Sequence, residues 1–212
     1  MDIIMTASGC NTAMGRNLIK DAIYRNYKSR DIRQMTIGMI CFDGPVVENI
    51  YRKAAEDIGF GEVVIVNRDF DITKIDKHMN AWYIGEGNTF TLRYEIVKRH
   101  LEGAIKTSDL VIGSSAGAVI CTSSIEVALD FDENSIGLQR MEGLNIVPTI
   151  DNERMTVVPH YNMEEYINWR KNTPHQMLDS FDDILYLPNN QYIYISGANS
   201  KMIIRGEIKD YD

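Results

Sequence analysis

The sequence predicts an α/β fold built on a doubly wound, mostly parallel sheet, and two observations carry this prediction. Through the first two thirds of the 212-residue chain, short apolar runs alternate with stretches of helical periodicity, which is typical of parallel strands joined by crossover helices. Beyond about residue 125 the alternation ends, and closely spaced apolar runs predict antiparallel strands near the C-terminus. Because the sequence contains no repeats, linkers or low-complexity tracts, we expect one domain over residues 1–212.

The individual elements follow from hydrophobic periodicity and from the turn-forming residues between periodic segments. Strands are predicted at residues 3–7, 35–41, 62–66, 81–84, 109–113, 143–148, 155–158, 184–187, 191–196 and 201–205. Helices are predicted at residues 17–27, 47–58, 90–104, 118 onward and 166–181, the last interrupted at Pro174. The acidic stretch 126–142 is expected to be a loop or a short hairpin, and the last three strands an antiparallel meander.

Composition and charge argue against several functional classes. A hydrophobic content of 44% and a charged content of 25% are ordinary for a globular protein. No apolar stretch approaches the roughly 18 residues of a membrane span, and the first residues lack the basic lead of a secretory signal. The net charge of −8 disfavours general nucleic-acid binding, which needs a basic face. We therefore expect neither nucleic acid nor membrane as a partner.

The cysteines and the spacing of acids predict a cytoplasmic protein without a metal or cofactor. The three cysteines, Cys10, Cys41 and Cys121, show no C-x-x-C spacing. That pattern argues against a disulfide framework or a structural zinc site and fits a reducing compartment. Acids are frequent, yet no set of His, Asp and Glu shows the spacing of metal ligands.

The most informative segment is a G-x-S-x-G turn, Gly113-Ser114-Ser115-Ala116-Gly117, which follows an apolar run and opens a helix. A serine on such a strand-to-helix turn is held in a strained conformation that exposes its hydroxyl above the sheet edge. The next amide, that of Ala116, lies at a helix N-terminus and can donate to an oxyanion. We predict Ser115 as a nucleophile. Ser114 is an alternative, although the register places the nucleophile midway between the glycines.

A histidine follows the predicted strand at residues 155–158, in the segment Pro159-His160-Tyr161. Ligands gather at the carboxyl ends of strands in an open parallel sheet, so His160 is predicted as the general base for the serine. The other histidines are placed less well, because His78 lies in a polar stretch, His100 at a helix end and His175 after a proline.

A second glycine-containing turn, Gly85-Glu86-Gly87-Asn88-Thr89, follows the strand at residues 81–84 and opens a helix. Such a turn lets backbone amides face a ligand, and we predict the Gly87 amide as a second oxyanion donor. Asn88 is a candidate substrate-binding residue, although Asn88 or Thr89 can equally be the N-cap of that helix.

Together, the three motifs resemble the peptidase E (aspartyl dipeptidase) and cyanophycinase family of serine peptidases over nearly the whole chain. The family's patterns are a Gly-Gly-Asn-Thr turn, a G-x-S-A-G-A turn and a Pro-His-(Tyr/Phe) strand end. The resemblance implies a glutamine-amidotransferase-like, three-layer α/β/α fold. It also implies Ser115 as nucleophile, His160 as base, and the amides of Gly87 and Ala116 as the oxyanion hole. We expect a short peptide as substrate and a monomer or homodimer.

The chain departs from the family pattern at two positions close to the predicted chemistry. Glu86 stands where the family usually has a glycine, and an inward-pointing carboxylate would oppose an oxyanion. Asn189 stands where the family's triad acid is typically found. Asn189 can orient an imidazole through its carbonyl but cannot stabilise an imidazolium by charge. Asp182, Asp183 and the loop Asp130-Phe131-Asp132-Glu133 offer alternative carboxylates.

The arginine segment with which aspartyl dipeptidases hold an acidic N-terminal side chain has no clear match. Arg170 is the predicted substitute, with Arg154 as an alternative. The leading hypothesis is a serine peptidase for short peptides, with an acidic N-terminal residue as one preference. A catalytically weakened member that binds a peptide or small ligand is the alternative. An α/β-hydrolase esterase ranks lower, because no late histidine and no HGGG-type loop is present.

Overall fold

The protein is built around a seven-stranded sheet. The computed structural model describes residues 1–75, 79–148, 154–164, 166–168 and 181–206. The strands of this sheet are β1 (Asp2–Thr6), β2 (Thr36–Ile40), β3 (Glu62–Val66), β4 (Met79–Ile84), β5 (Leu110–Ser114), β8 (Gln191–Ile195) and β9 (Met202–Gly206). Their order is β3-β2-β4-β5-β1-β8-β9. The first five are parallel, whereas β8 runs antiparallel to β1 and β9 antiparallel to β8. The predicted mostly parallel sheet with antiparallel C-terminal strands is thereby confirmed.

Two further strands, β6 (Met155–Pro159) and β7 (Asp183–Leu187), form a separate parallel pair. The prediction of three antiparallel C-terminal strands is therefore wrong for one strand, because β7 pairs in parallel with β6. The strand predicted at residues 143–148 is also absent. Its backbone amides bond instead to carbonyls at the end of the helix that follows β5, as in Leu144 N–H to Ile120 O at 2.6 Å.

Helices cover both faces of the sheet. The helices are α1 (Ala13–Asn26), α2 (Pro45–Ile58), α3 (Thr89–Lys98), α4 (Glu102–Lys106) and α5 (Ala116–Cys121). The apolar residues of α1 and α2 pack on one face with Ile4 and Ile112, and those of α3, α4 and α5 pack on the other with Ile3 and Val111. Consecutive strand residues thus alternate between two buried layers. Among the described helices, none is long and apolar enough to span a bilayer.

The helix predicted at residues 90–104 is interrupted after Lys98. His100 adopts a positive φ of 56°, its amide bonds to Val97 O at 2.9 Å, and the Leu101 amide bonds to Ile96 O at 3.1 Å. These are the two bonds of a Schellman motif, which turns Leu101 into the core. Of the helix predicted at residues 166–181, residues 166–168 are helical, Phe181 is not, and residues 169–180, with Pro174, lie outside the described residues.

Helix α5 approaches the ends of strands β4 and β5 very closely. The Gly117 amide donates to Gly85 O at 3.0 Å, and a Cβ atom on Gly117 would lie 1.9 Å from Ile84 O. A backbone carbonyl at that distance cannot yield by a side-chain rotation. Only glycine therefore permits this packing.

We expect Gly117→Ala to lower the free energy of unfolding by about 3 kcal/mol, the upper end of the usual cost of overpacking a core. Gly103→Ala is the matched control, because a Cβ on Gly103, in α4, meets no atom within 4 Å. The control should gain about 0.5–1 kcal/mol from the helix propensity of alanine. Urea unfolding of both variants measures the difference, and equal midpoints would contradict the close approach.

Candidate active site

Ser115 occupies the sharp turn between β5 and α5. Its φ of 52° and ψ of −115° lie outside the regions that non-glycine residues favour, a conformation that costs about 1–3 kcal/mol. The turn is held by the Ser115 amide, which donates to Thr6 O at 2.9 Å on the adjacent strand β1. Gly113 is needed as well, because a Cβ there would lie 2.7 Å from Gly117 O. The predicted strained turn is present.

The neighbouring hydroxyl of Ser114 is directed elsewhere. Ser114 is fully buried and its Oγ lies 2.8 Å from Thr6 Oγ1. Ser115, in contrast, is partly exposed. Of the two adjacent serines, the hydroxyl of Ser115 is therefore the one that a ligand can reach.

His160 lies at the end of β6 and contacts the Ser115 hydroxyl. The distance from Ser115 Oγ to His160 Nε2 is 2.8 Å. His160 also has a positive φ, 60°, and its carbonyl accepts the Met163 amide at 2.9 Å. The tight turn that follows β6 therefore orients the imidazole toward Ser115, as a general base requires.

Asn189 completes a chain of three side chains. Its Oδ1 lies 2.6 Å from His160 Nδ1. Because an amide oxygen only accepts, Nδ1 is the donor of this contact, and in the neutral imidazole Nε2 is then the acceptor for the Ser115 hydroxyl. The backbone of Asn189 is held by two further hydrogen bonds. Its backbone N–H donates to Asn162 Oδ1 at 2.8 Å, and its backbone carbonyl accepts from Ser8 Oγ at 3.0 Å. Sequence reasoning missed both supports, because neither lies in a recognisable motif.

Two of the alternative carboxylates accept backbone amides elsewhere, and a third lies at the far end of its strand. Asp182 accepts the Arg154 amide at 2.7 Å, and Asp183 begins β7 at the end remote from Asn189. Asp132 accepts the amide of Thr89 at 2.8 Å. The ring nitrogen Nδ1 of His160 thus contacts the side-chain oxygen of Asn189 and not one of these carboxylates.

The predicted oxyanion donors share a cavity with Ser115. Gly87 and Ala116 line one cavity with Ser115, and Gly87 has a φ of 117°, which glycine tolerates. Ala116 is the first residue of α5, so its amide has no partner within the helix. Asn88 has a different place, because its Oδ1 accepts the Thr91 amide and its Nδ2 donates to Glu133 O. The Asn88 side chain thus caps α3 through Oδ1 and binds the loop that contains Glu133 through Nδ2.

Glu86 turns away from this cavity. Its carboxylate accepts hydrogen bonds from the hydroxyls of Tyr51 and Tyr83, at 3.2 and 3.1 Å. A Cβ on Gly9 would lie 0.9 Å from Glu86 Oε1, so Gly9 leaves the space that the carboxylate fills. Burial raises the pKa of the Glu86 carboxyl, the tyrosine hydrogen bonds lower it, and nearby Asp43 raises it, with a net upward shift. The carboxylate at the family's glycine position is thus accommodated outside the cavity that Gly87 and Ala116 line.

Of the remaining candidates, some are not among the residues that the structure describes, and the others lie away from Ser115. Arg170, His78 and His175 fall outside the described residues. Arg154 lies in another cavity, with its guanidinium 2.6 Å from Glu126. All three cysteines are buried, and burial raises the pKa of Cys121 to about 12. In the described part of the chain, no three His, Cys, Asp or Glu residues form a group that could hold a metal ion.

A strained serine with a histidine at hydrogen-bonding distance, at the edge of a mostly parallel α/β sheet, is the arrangement of a serine hydrolase. The chain belongs to Peptidase family S51, whose model matches residues 44–203. The predicted resemblance is therefore confirmed, and the chain is a member of a family of serine peptidases.

Two solved structures are similar to this chain. A candidate peptidase E protein from Listeria monocytogenes EGD-e superposes with a TM-score of 0.71 at 22% identity, covering 97% of this chain and 98% of that one. A peptidase from an acI-B1 actinobacterium has a TM-score of 0.63 at 15% identity, covering 97% and 87%. At these identities the likeness concerns the fold. No curated protein matches the sequence.

The buried Glu86 carboxyl should make stability depend on pH. Because its pKa is raised in the folded protein, the unfolded chain releases this proton at lower pH. The resulting stabilisation is therefore full below the ordinary pKa of 4.5 and is lost as the pH rises through the raised value. Glu86→Gln keeps an acceptor and removes the titration. We expect wild type to lose stability relative to Glu86→Gln as the pH rises above 4.5, measured by urea unfolding. A constant difference would contradict the burial of the carboxyl.

Proposed function

We propose that the protein is a serine peptidase that hydrolyses short peptides through an acyl-enzyme on Ser115. The observation that carries the proposal is the continuous contact from Ser115 Oγ to His160 Nε2 and from His160 Nδ1 to Asn189 Oδ1. In the first step His160 takes the Ser115 proton as the hydroxyl attacks the scissile carbonyl. His160 then returns this proton to the leaving amine, and water hydrolyses the ester by the reverse sequence.

The negative charge that develops on the carbonyl oxygen needs donors. The amides of Gly87 and Ala116 are the proposed pair, and their location beside Ser115 in one cavity supports this assignment. Such donors typically contribute about 3–4 kcal/mol each to the transition state. The cavity has a volume of about 50 Å³.

A preference for an acidic N-terminal residue depends on a cation near the cavity. None of the described residues that line it is an arginine or lysine, and Arg154 contacts Glu126 elsewhere. Arg170 is the proposed holder of an acidic side chain. Comparing Asp-Leu with Ala-Leu and Leu-Leu as substrates tests this preference.

Ser115→Ala should reduce the hydrolysis of these dipeptides by at least about 10³-fold, because the attacking hydroxyl is removed. Ser114→Ala is the matched control, since its hydroxyl contacts Thr6 in the core. The control should retain activity, although it will be less stable. Release of free amino acids, measured by chromatography, gives the rates. Equal activity in Ser115→Ala and wild type would refute the proposed nucleophile.

Asn189→Ala should lower kcat by roughly 10²-fold, because the imidazole loses the partner that fixes its orientation and tautomer. Asn189→Asp should raise kcat above wild type, since a carboxylate stabilises the imidazolium that forms during the reaction. Steady-state kinetics of both variants with one dipeptide provide the comparison. Wild-type kcat in Asn189→Ala would mean that the contact to His160 Nδ1 has no catalytic role.

A ligand-binding protein remains the second candidate, and Asn189 is the observation that favours it. An uncharged partner for the histidine lowers the rate that such a site can reach. A fluorophosphonate probe separates the two functions, because it labels an activated serine irrespective of the peptide preferred. Prompt stoichiometric labelling of Ser115 supports the peptidase, whereas no labelling supports the binding protein.

A further inference from the structure

A buried polar cluster lies beside the turn that carries the proposed oxyanion donor Gly87. It consists of Glu86 and two tyrosines, Tyr51 and Tyr83, whose hydroxyls donate to Oε2 and Oε1 of the Glu86 carboxylate at 3.2 and 3.1 Å. Both of these hydrogen-bond partners are neutral, and burying a carboxylate without a cation is unfavourable. The mechanism proposed above assigns this costly group no role.

The cluster joins three parts of the fold to that turn. Tyr51 lies on α2 and Tyr83 on β4, both residues are 1% exposed, and their ring centroids are 5.2 Å apart with the planes nearly perpendicular. The Tyr83 hydroxyl oxygen also accepts the amide of Cys10, which precedes α1, at 3.0 Å. The space for the carboxylate is left by Gly9. The Glu86 side chain is therefore anchored to groups that are themselves buried in the core.

The backbone around Glu86 has little intrinsic restraint, because glycines flank it on both sides. Gly85 is held by its carbonyl, which accepts the Gly117 amide at 3.0 Å, whereas Gly87 has the φ of 117° that glycine tolerates. The N–H proposed as oxyanion donor belongs to the peptide unit that joins Glu86 to Gly87. Rotation of this unit would bring the Glu86 carbonyl oxygen to the place of the N–H, and a carbonyl dipole opposes an oxyanion.

We propose that Glu86 is a positioning residue, whose anchored carboxylate fixes the peptide unit between Glu86 and Gly87 and keeps its N–H available to the oxyanion. The proposal rests on the peptidase function proposed above. Glu86 does not line the cavity with Ser115, so it acts through the backbone and not on the substrate. Charge on the carbonyl oxygen develops only as Ser115 attacks, so loss of the anchor should lower kcat and leave KM nearly unchanged.

Two substitutions at Glu86 separate the anchor from the charge. Glu86→Ala should lower kcat for Ala-Leu by about 10- to 100-fold, with KM within about twofold of wild type, because a misplaced donor stabilises the transition state less. Glu86→Gln should recover most of this loss, since glutamine accepts from the Tyr83 hydroxyl and its amide group donates to the Tyr51 hydroxyl. A fall in Glu86→Gln as large as in Glu86→Ala would overturn the proposal, because the charge and not the anchor would then matter.

Removal of single hydroxyls tests the contacts themselves. Tyr51→Phe should lower kcat by about three- to tenfold, and should have no further effect in the Glu86→Ala protein, because both changes remove the same contact. Tyr194→Phe is the matched control, because its hydroxyl donates to the Asp2 carboxylate in another buried contact, between β8 and β1. The control should keep both kcat and KM. Equal losses in Tyr51→Phe and Tyr194→Phe, or additive losses in the double variant, would overturn the proposal.

The motion of the Gly87 amide gives a readout that does not need activity. In protein with isotope-labelled glycine, NMR relaxation should give an order parameter of about 0.85 for this amide in wild type and Glu86→Gln, and of about 0.6 or less in Glu86→Ala. Tyr51→Phe replaces Glu86→Ala in this comparison if the latter does not fold. An order parameter unchanged by the substitution, or wild-type kcat in Glu86→Ala, would overturn the proposal. If wild type hydrolyses no dipeptide of the panel, the peptidase function fails, and the order parameters still decide whether Glu86 fixes the amide.

Discussion

The site depends on the contact between helix α5 and the carboxyl ends of strands β4 and β5. Gly117 brings its backbone against Ile84 O, closer than any side chain allows. This approach forces the chain to reverse within one residue, and the strain of the reversal falls on Ser115. The strain is sustained because strands β1, β4 and β5 are buried on both faces and cannot relax locally. The same reversal leaves the Ala116 amide beside the serine hydroxyl.

The second half of the site depends on register. Strands β6 and β7 run parallel with Pro159 opposite Leu187. His160 follows the first of these residues directly, and Asn189 follows the second by two positions. Parallel pairing therefore brings the imidazole and the amide to the same edge although 29 residues separate them along the chain. Had β7 paired with β8, as the predicted meander requires, the register with β6 that places Asn189 beside His160 would not exist.

The difference between these two halves of the site explains which features could be predicted from the sequence. The turn around Ser115 and the strand ends before Gly87 and His160 are local, so glycine spacing and hydrophobic runs suffice for them. The pairing of β7 with β6 is a tertiary choice that periodicity does not encode, because short strands fit either sheet. The direction of the Glu86 side chain could not be predicted from the sequence for the same reason. It depends on space left by Gly9, a residue more than seventy positions away in the sequence.

The charges of the site are distributed in an uncommon way. Where a triad acid would face the imidazole, the chain has the neutral Asn189, and the buried Glu86 carboxylate is bound by tyrosine hydroxyls below the turn. Asp132 supplies a negative charge in the cavity that Ser115 also lines. In the proposed mechanism the protein thus forgoes charge stabilisation of the imidazolium. Stabilisation of the transition state then depends on the backbone donors and on the orientation that Asn189 gives the imidazole.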